Sequence, residues 1–357
     1  MPPSTDTADD DTVVVSDSVR TSLESEKWYS LDSAEEEFFM TQTGIQDPAE
    51  LKKHILAVQA KACEVCHERH VNTSAKPIIS YPGPLMRCVL VGRVCSLKIA
   101  RLPAYGKLLK VGKERKGALF LDIGCCLGND VRKVVVDGFP MNQVFASDLR
   151  PGTCHQQFIT VIPKDGQLAL IAFAEFWQLG HKLFRSTPNT FPVPFISGDV
   201  FDPAFLPPAE IPTTARTVSL PPLSDLTSLA RLAGHLSVIH ASSFFQLFDG
   251  QLQLQLAKRL AALLSPEPGS FIFGSHAGRP EKSVRMEAVP QDFRGTRMWC
   301  YCPESWTELW ECVFGGKGIV KVEAELKEIM KENLMFDAME DEATETFYQL
   351  TWSVTRI

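Results

Sequence analysis

The chain has no uninterrupted run of about 18 apolar residues, so no segment has the length of a bilayer-spanning helix. Its opening stretch, MPPSTDTADDD, lacks the basic start and apolar run of a secretory signal. Excess positive charge is missing too: 36 Lys and Arg stand against 43 Asp and Glu, a net charge of -7. A face that binds nucleic acid needs clustered cations to replace the counterions on phosphates, so this balance argues against nucleic acid as a partner. It is compatible with a positively charged small molecule. No internal repeat is visible. The ten cysteines are scattered, several of them within apolar stretches. Without an export signal they read as reduced thiols of a cytoplasmic protein, not as a disulfide framework.

What is present is enough apolar sequence, 45% of 357 residues, to build a sizeable core. Residues 1–25, rich in Asp, Ser and Thr, read as a disordered start. Residues 26–117 read as a helical cap: SAEEEFFM is one helix, and DPAELKKHILAVQAKACEVCHERH is a second, with Asp47 as N-cap and Pro48 at the first helical position. Residues 77–106, broken by prolines, form a connector. From Ala118 strands alternate with helices: ALFLDI, NQVFAS, PFISGD, LSVIHA and SFIFGS, then IVKVEAEL and FYQLTWSVTRI at the end. QLQLQLAKRLAALL is a helix whose leucines share one face, capped by Asp249 and stopped by SPEPG. This alternation predicts an α/β fold, a Rossmann-like, doubly wound, mainly parallel sheet over 118–357 with a helical N-terminal cap. Two stretches break the rhythm. Residues 152–174 read as an atypical insertion, and the proline-rich residues 206–230 as a loop over the surface.

The chemistry concentrates in LFLDIGCCLGND. Asp122 ends a strand, and Gly124 and Gly128 bracket a tight loop before a helix, where glycine permits the turn and lets a ligand lie against bare backbone. Cys125 and Cys126 lie in the loop as small side chains; a reactive thiol at a helix start is the sharper alternative. Asp148, flanked by Leu149, ends the next strand and can accept hydrogen bonds from ribose hydroxyls. A dinucleotide fingerprint would be G-x-G-x-x-G, aimed at a pyrophosphate. Here the pattern is D-x-G-x-x-x-G, which matches class I methyltransferases, whose cofactor has a ribose and no phosphate.

Extended by VFASDLRP, PFISGDVFDP, HLSVIHASSFFQLFD, AKRLAALLSPEPGSFIFGSH and PESWTELW, this stretch resembles the fungal class I S-adenosylmethionine-dependent methyltransferases of secondary metabolism, the group that includes those of austinol-type meroterpenoid pathways. The resemblance covers about residues 77–357. It implies S-adenosylmethionine as cofactor, with Asp199 near the adenine amino group, Val200 and Phe201 beside the ring, and Ala241, Ser242 and Ser243 near the methionine part. The chain departs from the family in carrying Gln246 where a histidine is usual, and in the extra residues between DLRP and EFWQLGHKLF.

Other residues at the expected carboxyl edge of the sheet are candidates for a small-molecule acceptor. Tyr105, Phe244, Phe245, Gln246, Trp299 and Tyr301 are expected to line its pocket, although aromatics are more often core. His276, just after a strand, is the candidate base. His155 and His240 are weaker candidates, one inside the insertion and the other inside a strand. Cys63, Cys66, His67 and His70 have spacings that zinc could use, but a helix turning two thiols inward explains them as well, and no metal is expected. The reaction expected is O-methylation of a carboxylate or hydroxyl on an apolar terpenoid or polyketide. The alternatives are a non-catalytic cofactor-binding scaffold and an NAD-dependent oxidoreductase.

Overall fold

The computed structural model describes residues 29–71, 96–148, 175–214, 220–287, 296–329 and 346–357. The expectations for residues 1–25, for Leu149, for the insertion at 152–174 and for most of the proline-rich connector fall outside these. Two helices lead: α1 (Ser33–Thr43) and α2 (Pro48–Val71). Asp32 and Glu35 form a reciprocal capping box on α1, with Glu35 N donating to Asp32 Oδ1 at 2.8 Å and Asp32 N to Glu35 Oε2 at 3.1 Å. Asp47 caps α2 by accepting from Glu50 N at 2.8 Å, and Pro48 is its first residue, as expected. Cys63, Cys66, His67 and His70 lie on α2, but their side chains fall outside the described ones.

The remaining elements are α3 (Tyr105–Glu114), β1 (Phe120–Ile123), α4 (Asn129–Val136), β2 (Val144–Asp148), α5 (Glu175–Leu183), β3 (Phe195–Ser197), β4 (Val238–His240), α6 (Gly250–Leu263), β5 (Phe271–Gly278), β6 (Ser283–Glu287), β7 (Thr296–Cys300), α7 (Pro303–Val313), β8 (Val320–Ile329) and β9 (Phe347–Arg356). The central sheet is seven-stranded, ordered β3-β2-β1-β4-β5-β9-β8. Its β3, β2, β1, β4 and β5 are mutually parallel, and β9 joins antiparallel to both β5 and β8. The strand order reverses between β1 and β4, the switch point at whose carboxyl edge ligands bind in doubly wound sheets. This is the expected Rossmann-like architecture. Among the described residues no helix is long and apolar enough to cross a membrane.

Both sheet faces are buried, and the two-residue period of the strands sorts their side chains. Leu121, Ile123, Phe145, Ile239 and Ile272 face α6 and α7, packing on Leu256, Leu260, Trp306 and Trp310. Phe120, Val144, Ala146, Val238, Phe271 and Phe273 face the other way, onto Leu108 of α3 and Val131 and Val134 of α4. A third cluster joins the N-terminal helices to α5, with Phe38, Phe39, Leu51 and Ile55 against Leu179, Leu183 and Phe184.

Two parts depart from expectation. The antiparallel β6–β7 pair is not legible in the sequence, because its short alternating runs are interrupted by arginines. The described residues of the proline-rich stretch hold two short 3-10 turns, Leu223–Asp225 and Leu229–Leu232, and do more than lie over the surface: Leu206, Leu226 and Leu229 are buried in the core facing α6 and α7. Proline removes amide donors, yet leucines between the prolines still contribute apolar area.

Candidate functional site

The loop between β1 and α4 is wound tightly on itself. Gly124 N and Cys125 N donate to Ser147 O at 2.8 and 3.2 Å, and Gly128 N donates to Cys125 O at 2.8 Å. Cys126 N donates to Asp148 Oδ2 at 2.7 Å, so the acidic end of β2 is tied to the loop. Gly124 and Gly128 have φ of 77° and 74°, the left-handed region expected of them. What occupies the space beside them differs from expectation. A Cβ at Gly128 would lie 2.5 Å from the Trp177 ring and 2.9 Å from Arg132 Nη1, and one at Gly124 would lie 2.7 Å from Phe244. The protein's own side chains fill that space.

Arg132, which sequence reasoning missed, supports the loop from below. Its Nη1 donates to Leu127 O at 3.1 Å, and its guanidinium lies 4.4 and 4.5 Å from the ring centres of Phe191 and Phe184. Burial lowers its pKa to about 9. Cys125 is buried, and desolvation with the charges of Asp148 and Asp122 pushes its thiol well above its ordinary value. That environment is the reverse of one that makes a reactive thiolate.

Across the switch point, Asp122 and His240 are direct partners in the β1–β4 register, so their side chains share a face. His240 Nδ1 lies 2.7 Å from Asp122 Oδ1, and His240 Nε2 lies 2.8 Å from Ser242 Oγ. Asp122 is 3% exposed. Asp130, in the first turn of α4, accepts from Ile99 N at 3.0 Å. Burial, opposed by His240 and reinforced by Asp122, pushes its pKa up to about 6. Lys98 reaches the same edge, its Nζ 3.4 Å from Ser243 Oγ. Its segment is tied to α1, because Leu97 N donates to Glu35 Oε1 at 3.0 Å. Cys126 and Ser243 have φ of 51° and 55°, two non-glycine residues in left-handed backbone on the two loops flanking the switch point. Such strain persists where surrounding structure enforces it, and it concentrates at functional sites.

On the far side of β2, Asp199 turns its carboxylate back to accept from Phe201 N at 2.8 Å. Val200 is buried, and its carbonyl accepts from Arg259 Nη1 at 2.9 Å, which anchors this loop to α6. Phe201 meets Phe248 edge-on at 5.0 Å, and Phe248 meets Phe244 edge-on at 5.5 Å. Ala241 is fully buried, its N–H on Phe273 O at 2.9 Å.

Several acceptor-pocket candidates lie elsewhere. Tyr105 donates to Asp137 Oδ2 at 2.5 Å. Asp137 ends α4, an eight-residue helix of about 12 Å whose other end is the glycine loop, so Tyr105 sits away from the carboxyl edge. Phe245, Tyr301 and His276 join Trp306, Trp310 and Trp352 in an aromatic core; the His276 and Trp306 ring centres are 4.6 Å apart. His276 is 2% exposed, and burial pushes its pKa down to about 3. Large rings followed the apolar drive into the core rather than the pocket. Gln246 Oε1 accepts from Ala277 N at 2.9 Å, and the Trp299 ring packs on Gly250 at the start of α6. Among the described residues no group of His, Cys, Asp or Glu is arranged to hold a metal ion.

The asnovolin E/chermesin D methyltransferase nvfJ of Aspergillus novofumigatus is 28% identical over 247 residues, 69% of this chain and 69% of that one. The chain is similar to fungal methyltransferases. The O-methyltransferase phiE of a fungal species is 29% identical over 223 residues, 62% of this chain and 58% of its own length. The methyltransferase adrK of Penicillium rubens is 28% identical over 63% of each. The chain therefore spans roughly three-fifths to two-thirds of the length of these relatives. Residues 28–67 match the family described as meroterpenoid methyltransferase N-terminal domain, the stretch that carries α1 and most of α2. Among solved structures, an S-adenosylmethionine-dependent methyltransferase from Mesorhizobium loti aligns over 72% of this chain and 100% of its own, at 11% identity and a TM-score of 0.36. The fold assignment rests on the strand order described above.

Proposed function

We propose that the protein is an S-adenosylmethionine-dependent methyltransferase that methylates a carboxylate or hydroxyl oxygen of a small, largely apolar molecule. One observation carries the choice of cofactor. The amides of Gly124, Cys125, Cys126 and Gly128 are committed to protein acceptors, while Asp148, Asp130 and Asp199 bring carboxyl groups to the same edge. A pyrophosphate needs such amides turned toward it and repels carboxylates. A cofactor with a ribose, an amino-acid end and a positive sulfonium suits the arrangement. In this reading the glycine loop from Asp122 to Gly128 shapes one wall. Asp148 takes the ribose hydroxyls, Asp199, Val200 and Phe201 hold the adenine, and Ala241, Ser242 and Ser243 hold the methionine part.

When bound, the cofactor supplies an electrophilic methyl group for in-line displacement. The chain's contribution is alignment and the exclusion of water. Phe244 and Phe248, in edge-on contact beside Ser243, offer an apolar wall near the methionine end, where burial of an acceptor contributes about 25 cal/mol per Å². In this reading the segment through Lys98, tied to α1, covers the mouth, and the N-terminal helix α1 belongs to its lid.

His276 is buried and neutral, Gln246 stands where relatives of the resembled family usually carry histidine, and His240 is held between Asp122 and Ser242. The reading therefore favours a carboxylate acceptor, which is ionised at neutral pH and needs no base. The test is methyl transfer from labelled S-adenosylmethionine to apolar terpenoid acids and to matched alcohols. The reading expects turnover with the acids at a rate nearly flat from about pH 6 to 9. A rate rising about tenfold per pH unit over that range would show a hydroxyl acceptor and a titrating base. Absence of transfer to any acceptor despite cofactor binding would favour a non-catalytic relative.

A further inference from the structure

We infer that Gln246 is a specificity-determining contact for the acceptor: its side-chain amide donates Nε2–H to one oxygen of a carboxylate, while the other oxygen attacks the methyl group. The inference rests on the methyltransferase reading above and assigns the contact that selects the acceptor within it.

Three successive stations on β5 locate Gln246. β4 pairs with β5 as far as His240 and Phe273, and the loop after β4 keeps following the same side of β5. Ala241 N donates to Phe273 O at 2.9 Å, and Ser243 N donates to Ser275 O at 2.7 Å. Two residues farther out, Ala277 N donates to Gln246 Oε1 at 2.9 Å. Alternate residues of a strand turn their backbone groups to the same side, and two residues advance about 6.5 Å. The Gln246 station is therefore one such step beyond the Ser243 station, past the methionine end of the cofactor. It lies on the same loop as Phe244 and Phe248, the apolar wall proposed for the acceptor.

A backbone amide can only donate, so the atom facing Ala277 N is the oxygen, and the orientation of the side-chain amide is fixed. That bond engages the oxygen alone. Among the described residues Nε2 has no protein acceptor, and Gln246 is half-buried, so its two protons stay within reach of a ligand. Gln253 is the opposite case: fully buried, it spends its Nε2 on Phe248 O at 2.8 Å and Trp299 O at 3.1 Å. A donor fixed at Gln246 suits a ligand oxygen that accepts. A carboxylate has two equivalent oxygens, so one can be held while the other stays free to attack, and its charge strengthens the bond. A lone hydroxyl has a single oxygen, and a hydrogen bond to it would blunt the atom that must attack. In the step itself the free oxygen forms the new O–C bond as the S–C bond breaks, its electron pair passing to sulfur. Carboxylate and sulfonium become a neutral ester and a thioether, and no proton moves.

The test compares the full chain with Gln246→Glu and Gln246→Met. Methyl transfer from labelled S-adenosylmethionine to apolar terpenoid acids, farnesoic acid first, is measured beside calorimetric titration with S-adenosylhomocysteine. Glu keeps an oxygen for Ala277 N and replaces the donor with an acceptor, whereas Met supplies neither. kcat/KM for the acid should fall about tenfold or more in Gln246→Met and further in Gln246→Glu, mainly through KM. Affinity for S-adenosylhomocysteine should stay within about twofold in both. A merely structural role predicts the reverse order, because Glu preserves the bond to Ala277 and Met does not. That reverse order, wild-type turnover of the acid in Gln246→Glu, or a parallel loss of S-adenosylhomocysteine affinity overturns the inference while leaving the cofactor assignment standing. So does a wild type that methylates the matched alcohols and not the acids. A wild type that does not bind S-adenosylhomocysteine overturns the methyltransferase reading itself. Should Gln246→Glu fail to fold, the comparison in Gln246→Met of KM for the acid with S-adenosylhomocysteine affinity decides alone.

Discussion

Trp352 Nε1 donates to His276 Nδ1 at 3.0 Å, which makes the imidazole an acceptor inside an aromatic core. His276→Ala removes both the ring and the partner of a buried indole. The expected outcome is a loss of about 2–4 kcal/mol in denaturant unfolding. Methyl transfer per folded molecule should be retained at low temperature, where a base would have been missed.

The same histidine gives the protein a pH signature. Its folded pKa, about 3, lies below the unfolded value of 6.5, so the stability it contributes is full above pH 6.5 and is lost as pH falls toward 3. Asp130 has the opposite sign. Its folded pKa of about 6 lies above 3.8, so its contribution is full below pH 3.8 and is lost as pH rises through 6. The two slopes oppose each other between about pH 4 and 6. Relative to wild type, Asp130→Asn should lose stability more steeply on acidification in that window, and His276→Phe less steeply. Urea midpoints collected from pH 4 to 7 check both signs.

Gly128→Ala and Gly44→Ala both place a side chain in left-handed backbone, at φ of 74° and 72°. At Gly44 the added Cβ meets nothing within 4 Å, whereas at Gly128 it meets Trp177 and Arg132. Gly44→Ala should cost about 1 kcal/mol of backbone strain, and Gly128→Ala a further 1–3 kcal/mol, roughly, from displaced packing. Thermal unfolding of the pair measures the difference. Equal costs would show that Trp177 yields freely.

Most of the architecture was legible because burial on both faces writes strands as apolar runs, such as FLDI and VFAS, and glycine marks the turn after β1. The layout of the site was less so. His240 reads locally as a residue inside a strand, and only the register with β1, 118 residues earlier, pairs it with Asp122. Tyr105 stands close to β1 in sequence, but sequence distance does not tell which end of a helix a side chain reaches. Arg132 looks like a solvated helix residue until the rings of Phe184 and Phe191, from beyond α5, close over it.

Tyr105→Phe follows from that correction. It removes the donor to Asp137 and should cost about 1 kcal/mol of stability. Because this contact lies at the far end of α4 from the loop, KM for cofactor and acceptor should not change. A rise in either KM would return Tyr105 to the site.

The central claim is that the edge built by the glycine loop and Asp148 receives S-adenosylmethionine. Calorimetric titration of the wild type and of Asp148→Ala with S-adenosylhomocysteine and with NAD measures it most directly. The account predicts saturable binding of S-adenosylhomocysteine, weakened in Asp148→Ala by about 1.5–3 kcal/mol, and no binding of NAD. Binding of NAD, or an affinity for S-adenosylhomocysteine that Asp148→Ala leaves unchanged, would contradict it.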